Sequence, residues 1–220
     1  MFSQIGFIFL ICAYIANFFI IGSYKINSYF IREKFFYFSI YFIFISTLIS
    51  FFSLMGNYII SDFSNYNVFQ NSHSSKPLIY KITGTWGNHE GSMLLWLLIM
   101  SAYTLLFSFN KVLDNETKKL TIIFQSLLFI GFCSFIILTS NPFLINTLSV
   151  SEGLGLNPIL QDPALAIHPP VLYTGYVGFS LILSLALSGL INKKLDIQWI
   201  KVTKKWAIFC WSMLTGGIAL

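Results

Sequence analysis

Charge is what this 220-residue chain has least of: Asp, Glu, Lys and Arg make up only 10% of it, against 56% hydrophobic and 18% aromatic residues. A soluble globule carries roughly a quarter of its residues as charges, so the composition excludes that class and points to a bilayer. The long apolar runs contain no Asp, Glu, Lys, Arg or His. Ionisable groups inside spans mark proton relays and ion paths, and these runs show no such mark. Cysteine is scarce as well. Cys12, Cys133 and Cys210 each sit in an apolar run, with no CxxC or metal-ligand spacing among them, which leaves core packing as their role. The opening MFSQIGFIFL lacks the basic n-region of a cleavable signal, so the first run is expected to be a retained span.

Six apolar segments are present, at residues 4–24, 35–59, 91–109, 120–139, 171–191 and 206–220. A helix needs about 20 apolar residues to cross a bilayer, and continuous runs lack the alternation of a barrel strand. The expected fold is therefore all-α: a polytopic integral membrane protein, one helical membrane domain of about six transmembrane helices. The last segment would span only about 22 Å at about 1.5 Å per residue, so the final helix is expected to be truncated. On that reading the chain is the front part of a longer protein or of a split subunit.

The formal charge of +5 is not spread as a nucleic-acid surface would be. Lys25, Arg32 and Lys34 follow the first segment, Lys111, Lys118 and Lys119 the third, and Lys193, Lys194, Lys201, Lys204 and Lys205 the fifth. By the positive-inside rule these loops face the cytoplasm, or the matrix of a mitochondrion. The loops of the opposite, trans side, about 60–90 and 140–170, hold only Lys76 and Lys81. They also hold all three histidines, His73, His89 and His168, with Trp86, Glu90, Glu152 and Asp162. The functional surface is expected there.

His168 precedes Pro169 and Pro170. Proline biases its predecessor toward extended backbone and is tolerated in a helix's first turn, so the fifth span is expected to begin at the prolines with His168 just outside it. Such an imidazole can offer a nitrogen to a metal, or it can seat the helix by bonding a loop carbonyl. Asp162 suits a helix cap or a partner for the imidazole. His89 beside Glu90 invites an acid/base reading, but adjacent helical residues diverge and imply no dyad. Trp86 suits the headgroup layer. His73, in a Ser- and Asn-rich stretch, reads as a solvated loop residue. Three functions stay open on these residues: a subunit that holds a metal or a metal-bearing cofactor, a transporter subunit, and a structural assembly subunit that binds no such group.

Three strings, TWGNHEGSMLLW at 85–96, TSNPF at 139–143 and LNPILQDPALAIHPPVLYTGYVGFS at 156–180, resemble the CcmF family, the membrane haem lyase subunit of cytochrome c maturation. The resemblance implies a protein that takes haem from the chaperone CcmE and, with a CcmH-type partner, attaches it to apocytochrome c. His168 matches the first of two trans-side histidines that ligate the incoming haem. Trp86, His89, Glu90, Asp162, Pro169, Pro170 and Tyr173 lie in the matched strings and are candidate supporting residues. The family's Trp-rich segment, second trans-side histidine and haem b-holding transmembrane histidines would lie beyond Leu220, so this stretch would carry an incomplete active site. Asn88 stands where the family commonly has a small residue, and Ala164 where it has glycine. The implied location is the bacterial inner membrane with the amino terminus and His168 loop periplasmic, or else the mitochondrial inner membrane. A relative dedicated to nitrite reductase shares the pattern.

Overall fold

The computed structural model describes residues 1–23, 29–147 and 150–220, with side chains throughout except at 29–32 and 159. Tyr24, the end of the first expected segment, Lys25 and the Arg32 side chain lie outside the described residues. The order is α1 (Phe2–Ser23), α2 (Tyr29–Ile59), short α3 (Tyr66–Asn71) and α4 (Leu78–Gly84), α5 (His89–Ser108), α6 (Asn115–Thr139), a 3₁₀ turn (Pro158–Gln161), α7 (Pro163–Ile191) and α8 (Ile197–Ala219). Five of these, α1, α2 from Glu33, α5, α6 and α7, are long and apolar enough to cross a membrane. The chain is an all-helical, multi-pass membrane protein.

Two helix starts differ most from expectation. α7 begins at Pro163, not at the paired prolines, because Asp162 caps it by accepting from the Ala164 and Leu165 amides at 2.8 and 3.1 Å. His168, Pro169 and Pro170 therefore lie inside the helix. α8 begins at Ile197, capped by Asp196 accepting from the Trp199 amide at 2.7 Å. Lys201, Lys204 and Lys205 thus belong to its first turns, which interrupt an apolar run without interrupting a helix. The 23-residue α8 is about 34 Å long at about 1.5 Å per residue, but its uninterrupted apolar part is still residues 206–220, and it is not among the five helices apolar enough to cross.

α5 lies at the centre, packed on α2, α6 and α7, while α1 pairs with α2 and α7 with α8. Lipid tails are as apolar as Leu, so close approach and polar contacts hold such helices together. Thr47 bonds Ser101 at 2.8 Å between α2 and α5, Ser50 donates to the Gly6 carbonyl at 2.9 Å, and Thr121 bonds Ser188 at 2.7 Å between α6 and α7. Glycine sets the α7–α8 distance. A Cβ on Gly175 would stand 2.6 Å from the Cys210 carbonyl oxygen, and one on Gly217 2.5 Å from Leu172 Cα.

The bundle has two chemically distinct ends. At the lysine-bearing end, Glu33 of α2 pairs with Lys119 of α6, and Lys194 reaches Asp114 at 3.0 Å. At the histidine-bearing end the two long loops clasp each other. Tyr66 N–H donates to the Leu144 carbonyl at 2.8 Å, Asn146 N–H to Ser64 at 2.7 Å, Leu154 N–H to Phe69 at 2.8 Å and Gly155 N–H to Ser72 at 3.0 Å. Gly155 has φ 97°, a conformation that favours glycine.

Candidate functional site

His168 occupies the second turn of α7, half-buried, and among the described residues its imidazole has no hydrogen-bond partner. The carbonyl-seating role open to it on sequence is therefore not the one adopted. Asp162 is the cap rather than a partner of the imidazole. The helix around His168 is held from outside. Trp86 donates its indole N–H to the Ala166 carbonyl at 2.8 Å and stacks on Phe51 of α2, with ring centroids 6.4 Å apart and planes 15° apart. One and two turns further on, Trp96 of α5 meets Tyr173 at 5.5 Å and Tyr176 at 5.2 Å. Thus both tryptophans of the TWGNHEGSMLLW string brace α7.

His89 and Glu90 diverge, as adjacent helical residues must. The exposed His89 ring meets Phe135 edge-on at 6.2 Å and lies at one end of a groove of about 580 Å³ between α5 and α6, otherwise lined by apolar residues including Met93, Gly131 and Phe132. Glu90 turns the other way and accepts from Asn67 Nδ2 at 3.0 Å.

Asn67 belongs to a polar network that sequence reasoning missed, centred on Asn88. The Asn88 carbonyl oxygen caps α5 by accepting from the Gly91 amide at 2.8 Å and also accepts from Asn67 at 2.9 Å. Its amide nitrogen donates to the Gly84 carbonyl at 2.8 Å and to the Tyr58 hydroxyl at 3.0 Å. Tyr58 closes the ring by donating to Asn67 Oδ1 at 2.6 Å. Gly91 is required by close approach, since a Cβ there would run into the Thr85 carbonyl. The one local signal was Asn88 three residues before Gly91, a helix-start pattern; Tyr58 and Asn67 come from distant turns and leave none.

His73 is a loop residue. Its Nδ1 meets Ser75 Oγ at 2.8 Å and stands 3.8 Å from Glu152 Oε1. Glu152 accepts from the Ser74 amide at 2.8 Å and also from the Ser74 hydroxyl. Those two bonds, with help from the Gly153 amide and His73 and against a small desolvation, hold its carboxyl at about 2, below the usual 4.5. Lys76 and Lys81 are tethered to the Asn71 carbonyl at 3.3 Å and to Ser61 Oγ at 2.8 Å. Burial lowers the Lys76 ammonium to about 8. The cysteines are free thiols, Cys133 and Cys210 buried and Cys12 half-buried. Among the described residues no three His, Cys, Asp or Glu side chains converge.

Residues 86–220 match the family model described as Cytochrome C assembly protein. The cytochrome c-type biogenesis protein CycK of Rhizobium meliloti is 48% identical over 178 residues, covering 80% of this chain and 26% of that protein. The cytochrome c-type biogenesis protein CcmF of Escherichia coli is 40% identical over 182 residues, 81% of this chain and 28% of its own length. A solved structure, the cytochrome c heme lyase CcmF, superposes with a TM-score of 0.84 over 99% of this chain and 35% of that one, at 24% identity, and shares its fold. The chain spans about a quarter of the length of these relatives. With the motifs of both loops placed at one end of the bundle, the chain belongs to the cytochrome c assembly protein family, in its CcmF-type group.

Proposed function

We propose that this chain forms the haem-receiving part of a haem lyase subunit in cytochrome c maturation, with His168 as an axial ligand to the iron of the haem being handled. The half-buried, unpartnered His168 imidazole in a braced turn carries the reading. Iron ligation needs an unprotonated ring nitrogen, and a side chain committed to no other bond keeps that nitrogen available. Haem is here a substrate, delivered by a CcmE-type chaperone and passed to the CxxCH cysteines of an apocytochrome c presented by a CcmH-type partner.

Each thioether arises by addition of a cysteine S–H across a haem vinyl group. A carbon–sulfur bond forms, and the thiol hydrogen ends on the other vinyl carbon. The step is redox-balanced and needs no nucleophile from this chain. The contribution of these residues is to hold the haem where thiol and vinyl meet, catalysis by proximity and orientation. The lysine clusters at the opposite end support a bacterial inner-membrane orientation with the histidine end periplasmic; the mitochondrial counterpart is the inner membrane with that end in the intermembrane space. Tyr173 supports the site by packing against Trp96, and His89 and Glu90 support it less directly, in the first turn of α5.

In the full protein, His168→Ala is expected to lower covalent haem attachment to cytochrome c, and retention of chaperone-delivered haem, at least about tenfold, the scale of losing a metal-site contact. Haem staining of cytochromes and the absorption spectrum of the purified complex read both. Unchanged values in both would remove His168 as a ligand.

A further inference from the structure

The structure assigns Trp86 as a positioning residue for His168: we infer that its indole N–H replaces the backbone donor Pro170 cannot supply, so that the TWG and HPP motifs, 80 residues apart, form one device. In an α-helix the carbonyl of residue i accepts from the amide of i+4. Pro170 has no N–H, which leaves the Ala166 carbonyl without its partner, and a proline ring also presses on that same carbonyl and tilts it outward. Ala166 is only 6% exposed, so water cannot readily satisfy its carbonyl. The Trp86 indole nitrogen stands 2.8 Å from that oxygen. Its ring is fixed by the near-parallel stack on Phe51.

Two further contacts define how the turn is held. The Pro170 carbonyl accepts from Thr174 Oγ1 at 2.7 Å, and side-chain bonding of this kind bends helices. At the other end Asp162 fixes the first turn. His168 lies between Ala166 and Pro170, so its side chain stands on a turn whose otherwise unpaired carbonyl is clamped to another part of the bundle. A proline-free helix would satisfy Ala166 internally and would need no tryptophan; the paired prolines make the turn depend on the loop that precedes α5. The Trp86–Ala166 hydrogen bond thus couples that loop to the His168 turn.

The inference rests on His168 being the haem ligand, and its test separates the two ideas. Four forms of the full protein are compared in membrane mimetic: wild type, Trp86→Phe, Pro170→Ala and Trp86→Phe/Pro170→Ala, with His168→Ala as a reference. Phenylalanine keeps a ring to stack on Phe51 and removes only the donor; alanine at 170 restores the backbone donor. Amide hydrogen exchange over residues 163–172 needs no haem. Trp86→Phe is expected to speed it roughly tenfold, and the double variant to return it toward the Pro170→Ala value. With haem delivered, Trp86→Phe is expected to shift the absorption bands and reduction potential of the bound haem, and Pro170→Ala to suppress that shift. Equal Trp86→Phe effects with and without Pro170, or no effect in exchange, would overturn the inference. If exchange shows the coupling while His168→Ala leaves haem retention and spectrum unchanged, the ligand reading falls and the Trp86–Pro170 device no longer positions a ligand.

Discussion

Among single residues, Asn88 does more at its position than a helix cap. All four of its hydrogen-bonding capacities are used, toward Gly91, Asn67, Gly84 and Tyr58. Losing a cap costs about 1 kcal/mol, and leaving a buried partner such as the Tyr58 hydroxyl underserved adds about 1–3 kcal/mol. Asn88→Ala is therefore expected to destabilise the protein by about 2–4 kcal/mol, read as a lower unfolding midpoint in detergent. Glu152 gives a pH signature. Its folded-state value of about 2 lies below the ordinary 4.5, so the bonds to Ser74 are fully present above about 4.5 and are lost as pH falls through about 2. Exchange of the Ser74 amide is expected to accelerate across that window after correction for intrinsic rates, and Glu152→Gln is expected to abolish the dependence.

The apolar interiors of the helices were legible because twenty uncharged apolar residues admit few other structures in a bilayer. Their ends were not. The start of α6 at Asn115 carried its signal in the Asp114 cap, which accepts from the Thr117 amide at 3.2 Å. The start of α8 was hidden by Lys201, Lys204 and Lys205, which break hydropathy without breaking helicity. α7 misled for a deeper reason: local rules make Pro169 and Pro170 a helix start, and what allows a helix through them is Trp86, supplied from far away in sequence. The divergence of His89 and Glu90 followed from helical geometry and was readable; the network around Asn88 was not, because its members come from α2, α3 and the α5 cap. The α7–α8 seam offers an element-level test. Gly175→Ala places a methyl group against the Cys210 carbonyl and the Leu214 backbone, where no flexible side chain can give way. Overpacking of this kind costs about 1–3 kcal/mol. The expected result is α8 displaced from α7 and faster proteolysis in the connection at residues 192–196.

Across the whole molecule, the histidine-bearing end is a platform made by two loops from different parts of the chain, tied to the start of α5 through Asn67. The Tyr66–Leu144 hydrogen bond joins positions 78 residues apart (144 − 66), and three complete helices or short helical pieces intervene. At a synthesis rate of about 5–20 residues per second, the second strand of this clasp leaves the ribosome roughly 4–16 s after the first. During that interval α3, α4 and the His73 loop lack the contacts made by the second loop, and the turn that will hold His168 does not yet exist. The platform is thus timed as well as shaped: its clasp can close only on a chain whose first four spans have already been synthesised.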